Sequence, residues 1–208
     1  MEAIEMLNRR FCIKSLGLAA TSVALQSNLN AALQCGPPVP SSGVQACVAG
    51  IPSDDMEDVY ASQEQSQWCW AACIEMVFTF WGHPIDQEEI VGRTWGRIVN
   101  MPAQPQQIIA ALNRSWTDNN GRRFRPSGDV FSANGATAAQ DLASGMPLII
   151  GSMGHAMVMT AISYNRAQNS QGQVTGALVR DPWPGRGKRN LTAQEAAATM
   201  LLARVRIR

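Results

Sequence analysis

The sequence predicts a single α+β domain with a helical first half packed on an antiparallel sheet, and three observations lead there. Helix signals dominate as far as residue 144, short β-type apolar runs follow from residue 146, and 208 residues can bury one substantial core but not two. Hydrophobic residues make up 46% and charged residues 16%, the proportions of an ordinary globular chain.

Residues 1–32 read as an export signal. Arg9, Arg10 and Lys14 precede an uncharged apolar stretch from Ser15 to Leu25, and the paired arginines resemble a twin-arginine signal, although Asn8 and Cys12 depart from its usual residues. The ordinary secretory route is the other reading, and both imply a periplasmic or secreted protein. Loss of residues 1–32 leaves no net charge, which argues against nucleic acid or an anionic membrane surface as partner. No apolar run beyond the signal is long enough to span a bilayer.

Residues 33–58 read as a linker or pro-segment, with the compact domain starting near Val59. "CGPPVPSSGVQAC", between Cys35 and Cys47, has little to order it besides a disulfide joining its ends. Ser66 is a candidate helix cap before "WAACIEMVFTFW", which is apolar on nearly every face and stops at Gly82, the pattern of a central buried helix. Asp86 and Glu89 have the spacing of a capping box for a second helix through about Val91, and Pro105 opens a third through Leu112. A short helix over 137–144 ends at Gly145. The period then changes: "MPLIIGS", "HAMVMTAISY" and "GALVRD" are strands, the last two joined by a polar hairpin loop. Thr192 and Glu195 cap a last helix, and "LLARVRI" returns as a strand.

The chemistry concentrates in "QEQSQWCWAAC", residues 63–73. Cys69 stands at a helix N-terminus, where free N–H groups and the helix dipole favour thiolate over thiol. The competing reading is a buried structural cysteine. Cys73 lies one turn on; on an intact helix the two Cβ atoms are about 5–6 Å apart, beyond the about 3.5–4.5 Å of a disulfide.

A thiolate hydrolase needs a base, and the chain has two histidines. His83, in "WGHP", follows the far end of the same helix, roughly 18 Å from Cys69 for a straight helix of about a dozen residues. His155 opens an apolar strand after "GSMG", where its side chain can emerge at a sheet end. Asp181 closes the next strand and can orient the imidazole across a hairpin. An acyl-transfer site also needs oxyanion donors, which the Cys69 N–H and an amide side chain among Gln63, Gln65 and Gln67 can supply. Trp68, Trp70 and Trp183 flank these residues as candidate cleft walls, with core packing an equal reading for Trp70.

The order Gln, Cys-Trp at a helix start, Gly-His opening a strand and Asp-Pro-Trp after the next strand resembles the papain-like cysteine proteases. "QSQWCWAAC", "GHAMVMTAISY" and "VRDPWPG" are particularly similar to the compact bacterial branch that includes plant-pathogen avirulence effectors and resembles bacteriocin-leader peptidases. The resemblance covers about residues 63–185. It implies a papain-like fold and an exported cysteine endopeptidase acting on protein or peptide through a thioester. Cys69 is then the nucleophile, His155 the base and Asp181 its orienting residue, with Gln63 the oxyanion donor and Gln65 the second choice. It implies no metal and no organic cofactor.

Other classes stay open at this point: a catalytically silent peptide- or protein-binding module on the same fold, or a transferase or deamidase using the same three residues. Zinc binding by Cys69, Cys73, His83 and His155 matches no common ligand spacing, and C-x-x-x-C is not the C-x-x-C of disulfide oxidoreductases.

Overall fold

The computed structural model describes residues 32–130, 135–167 and 170–207; the export signal expected over residues 1–32 lies, but for Ala32, outside them. Among the described residues the elements run β1 (Ala32–Cys35), β2 (Gln45–Gly50), α1 (Ser53–Glu57), α2 (Cys69–Phe80), α3 (Gln87–Trp95) and α4 (Pro105–Ala111). They continue with β3 (Trp116–Thr117), β4 (Arg123–Phe124), β5 (Pro126–Val130), α5 (Gly135–Ala143), β6 (Leu148–Ser152), β7 (His155–Ala167), β8 (Ser170–Asp181), β9 (Gly187–Asn190), α6 (Ala193–Ala197) and β10 (Thr199–Ile207).

One antiparallel sheet organises the chain, in the order β1-β2-β7-β6-β10-β5, with β8 also paired to β7 and β9 beyond it. β3 and β4 form a separate small ribbon. β7 is the axis. Val158 pairs with Ile149 of β6 and Arg180 of β8, while Ala161 pairs with Gly50 of β2 and Leu178 of β8. A residue has one partner per edge, so β6 and β2 lie end to end along one edge of β7 and β8 runs along the other.

α2 packs against β7. Cys69 through Ile74, with Met76, Val77 and Phe78, are buried, as expected of a helix apolar on almost every face. Its one acidic residue, Glu75, accepts a hydrogen bond from Gln87 Nε2 (2.8 Å), and burial raises its pKa. Phe78 meets Trp116 and Phe124 edge-on, which fastens the β3–β4 ribbon to the far half of the helix.

The greatest departure from the sequence reading concerns residues 33–58. Where a linker is expected, β2 adds to the main sheet and β1 adds to β2. Cys47, Ala49, Ile51 and Met56 are in the core, and Cys35 and Cys47, opposite each other in register, form a disulfide. β2 lies so close to β7 that a Cβ on Gly50 would fall 2.7 Å from the Cβ of Ala161. Only glycine fits there.

Two expected caps are also replaced. α2 begins at Cys69 itself with Trp68 as N-cap, and Ser66 Oγ instead accepts from Asn100 Nδ2 (3.0 Å). Asp86 is the N-cap of α3 by position, but its carboxylate accepts from Asn119 Nδ2 (2.8 Å), not from the helix backbone. The Thr192–Glu195 capping box forms as expected.

Starting the chain at Val59 would strip one edge of β7 from Ala161 to Arg166 and remove four core side chains, of which Ile51 and Met56 alone contribute about 1.5–3 kcal/mol each. Against a typical total of about 5–15 kcal/mol, that chain should show no cooperative thermal unfolding, whereas one starting at Ala32 should. A sharp transition from the Val59 chain would contradict the structural role of β2.

Candidate active site

Three elements converge at one end of the sheet. Cys69 is the first helical residue of α2, so its N–H has no carbonyl within the helix to bond; the residue is 9% exposed. His155 is the first residue of β7, set there by a two-residue turn in which Met153 (φ 51°) and Gly154 (φ 77°) both take positive φ. Such a turn matches the twist of a tight hairpin, and it puts Met153, a bulky residue, in a conformation that favours glycine. Asp181 ends β8 and is fully buried.

His155 stands between the other two. Its Nε2 donates to Asp181 Oδ1 at 2.7 Å, and the Cys69 side chain lies near enough to interact with the ring. Burial disfavours charge on the imidazole, but the hydrogen bond to Asp181 and the influence of the nearby Cys69 and Asp181 outweigh it, and the pKa is pushed up to about 9. Asp181 Oδ1 also accepts from the Trp183 N–H (2.9 Å), and Oδ2 accepts from Arg189 Nε (2.8 Å). Burial alone would raise this carboxyl; the bonds from His155, Trp183 and Arg189 prevail and hold it well below the usual carboxylate range.

The glutamines separate by burial. Gln63 is 6% exposed and its Nε2 donates one hydrogen to the carbonyl of Gln65 (2.9 Å), leaving the other N–H available. Gln65 and Gln67 are exposed. Three further contacts tie the Gln63 loop to the site. Its own N–H donates to the Pro182 carbonyl (2.8 Å), Tyr60 Oη–H to the Asp181 carbonyl (2.9 Å), and Gln87 Nε2 to the Ser62 carbonyl (2.9 Å).

The three tryptophans part company. Trp183 is 45% exposed and meets the His155 ring edge-on at 6.3 Å, beside the His155–Asp181 bond. Trp70 is buried and lines a cavity of about 340 Å³ next to Cys69, together with Ile108, Ala156 and Leu201, with Met153 and Met200 at its rim. Trp68 is no cleft wall: it is buried, with Nε1 donating to the Val99 carbonyl.

His83 belongs elsewhere. Its Nδ1 bonds Asp118 Oδ2 at 2.9 Å and its ring stacks on Phe124. Asp118, which also gathers Arg122 and the N–H groups of Asn120 and Arg122, has its pKa lowered to about 2: those hydrogen bonds outweigh the opposing effect of burial. Cys73 is a free, buried thiol raised well above its ordinary pKa by burial and by the nearby Cys69 and Asp181. Among the described residues, no three His, Cys, Asp or Glu side chains gather as a metal would require.

Tyr60, Gln87, Arg189 and Glu195 all brace this site; in the sequence Glu195 stands out only as a helix cap and the other three not at all. Each sits in a polar stretch that reads as solvated surface, and only the fold turns it inward.

A cysteine at the start of a central helix, packed on an antiparallel sheet in an α+β fold, is the arrangement of a papain-like cysteine protease. The chain belongs to the family described as Peptidase_C39 like, which matches residues 57–201. The domain is therefore of the cysteine peptidase type. Among solved structures, "Crystal structure of UfSP from C.elegans" is similar at 10% identity and a TM-score of 0.41, over 84% of this chain and 36% of that one. This chain thus spans little more than a third of that protein. No curated protein matches it.

Since His83 serves the β3–β4 ribbon, His83→Ala should lower thermal stability while leaving peptidase activity within a few-fold of the parent. A loss of kcat as deep as that of His155→Ala would show that the wrong histidine has been assigned.

Proposed function

We propose that the protein is an exported cysteine endopeptidase in which Cys69, His155 and Asp181 form a catalytic triad. The observation that carries the reading is the imidazole of His155, bonded to Asp181 through Nε2 and close enough to Cys69 for the two to interact. Cys69 Sγ, as thiolate, attacks the peptide carbonyl carbon. The tetrahedral oxyanion is met by the Cys69 N–H and the free N–H of Gln63 Nε2. The C–N bond then breaks as His155 gives its proton to the leaving amine, leaving a thioester. Water, deprotonated by His155, cleaves the thioester and restores the thiol. This chemistry calls on no cofactor.

The burial of Gln63, held in place by the Gln65 carbonyl, supports Gln63 over Gln65 as the oxyanion donor. The motifs in "QSQWCWAAC" and "VRDPWPG" support the compact bacterial branch. Export rests on the signal-like residues 1–32 and is supported by the Cys35–Cys47 disulfide, a bond that persists in oxidising compartments. Among the described residues no helix is long and apolar enough to cross a membrane.

The test is mass spectrometry of the reduced protein after brief exposure to a peptidyl electrophile. Rapid labelling confined to Cys69, abolished in Cys69→Ala and slowed in His155→Ala, is expected, and new amino termini should appear in a protein substrate only with intact Cys69. Labelling at the rate of an ordinary thiol would refute the mechanism.

Gln63→Ala should reduce kcat about 10²–10³-fold. Gln65→Ala, which keeps the backbone carbonyl, should cost far less; equal losses would refute the assignment.

Activity should fall as pH rises through about 9, where His155 loses the proton it must deliver. Because that pKa is raised above the ordinary 6.5, the stabilisation from the charged imidazole is complete below 6.5 and is lost over the same rise through about 9. Activity unchanged from pH 8 to 10 would be inconsistent with this pKa.

A further inference from the structure

Asp181 is gripped on the side away from His155. Arg189, on β9, donates from Nε to Asp181 Oδ2 (2.8 Å) and turns its outer nitrogens to Glu195 of α6, with Nη1 on Oε2 (2.9 Å) and Nη2 on Oε1 (2.6 Å). Nη2 also touches Met157 Sδ at 3.0 Å, on the strand that carries His155. One planar guanidinium therefore spans two carboxylates, an arrangement that a flexible ammonium does not reproduce. Both side chains are largely shielded, Arg189 at 19% exposure and Glu195 at 17%. A second arginine, Arg186, lies 3.5 Å from Asp181 Oδ2 but is 56% exposed and makes a weaker restraint.

Glu195 is fixed in turn. Its carboxylate closes the Thr192 capping box, and its carbonyl accepts from Ser152 Oγ (2.6 Å), the residue opposite His155 in the β6–β7 ladder. The chain of contacts thus runs from the His155 hairpin through Glu195 and Arg189 to the carboxylate that His155 bonds. The bond between Glu195 and Arg189 holds the Glu195 pKa down to about 2.

We propose that Arg189 is a positioning residue for the reaction, locking the Asp181 carboxylate in the rotamer that orients His155, and that Glu195 holds Arg189 in place. The inference rests on the Cys69–His155–Asp181 reading above. Arg189 touches neither the thiol nor the scissile bond; it acts only through Asp181. Without it, Oδ2 keeps only the more distant contact to Arg186, and the carboxylate can rotate away from the imidazole plane.

The experiment compares Arg189→Leu, Arg189→Lys and Glu195→Gln with the parent in two readouts: kcat and KM on a peptide substrate, and the rate of Cys69 alkylation by iodoacetamide near neutral pH. Thermal melts confirm that each variant is folded. Arg189→Leu should lose about 10–100-fold in kcat, the cost of a misplaced catalytic group, with KM within about 3-fold, and should slow alkylation. Arg189→Lys, which keeps the cation but not the fork, and Glu195→Gln, which keeps one acceptor oxygen but sets an NH2 donor in place of the other, should fall between. If Arg189→Leu does not fold, the other two variants decide by the same kcat-against-KM split. Unchanged kcat and alkylation in the folded variants, beside a parent that alkylates rapidly with His155 dependence, would overturn this inference alone. A parent without rapid His155-dependent alkylation would overturn the triad reading together with it.

Discussion

β7 is bonded along both edges for much of its length, and the side-chain direction of every residue on it is fixed by the three ladders it shares with β6, β2 and β8. Strand side chains alternate between faces, so a slip of one residue in any ladder would turn His155 to the opposite face of the sheet. The same registers place Val158 opposite Arg180, and so bring Asp181, the next residue along β8, to the end of the sheet where β7 begins. α2 then needs only to lay its apolar flank on β7 for its first residue to arrive beside the imidazole.

The alternation on β8 puts two buried charges back to back. Arg180 is 1% exposed and reaches Glu57 (2.5 Å) and both oxygens of Ser53 on α1. Asp181 faces the other way into the site. Neither is neutralised by solvent, and each is paired with a different layer of the fold, although the buried Arg180 Nε has no partner. The short helix after β2 is therefore a counter-ion holder for the strand that ends at Asp181, and residues 53–57 have little apolar surface beyond Met56 to hold them otherwise.

The site was more legible in the sequence than the fold around it. Cys69, His155 and Asp181 each sit at the boundary of a segment whose period can be read locally, a helix start, a strand start and a strand end, and boundaries are where side chains emerge. "QACVAG" had no such marker: its residues are small, its partner on β7 lies more than a hundred positions away, and the Pro-Ser-Gly stretch before it is the turn of a hairpin that resembles a loop. Ser66 was a sound cap by type, but Asn100, supplied from a distant loop, engages both its hydroxyl and the Gln67 N–H. Arg189 was illegible for a similar reason. In "GRGKRN" it is one cation among several, and only the pairing of β9 with β8 distinguishes it from Lys188.

The double-sided pairing of β7 also bears on how the protein opens. Amide protons in the middle of such a strand are released by unfolding of the whole domain, while those at fraying ends exchange through local motion. His155 is the first residue of β7 and Asp181 the last of β8, so opening of the second kind can part the two while the middle of β7 stays closed. Exchange at that end of the sheet is thus set apart from exchange at its centre within one folded molecule.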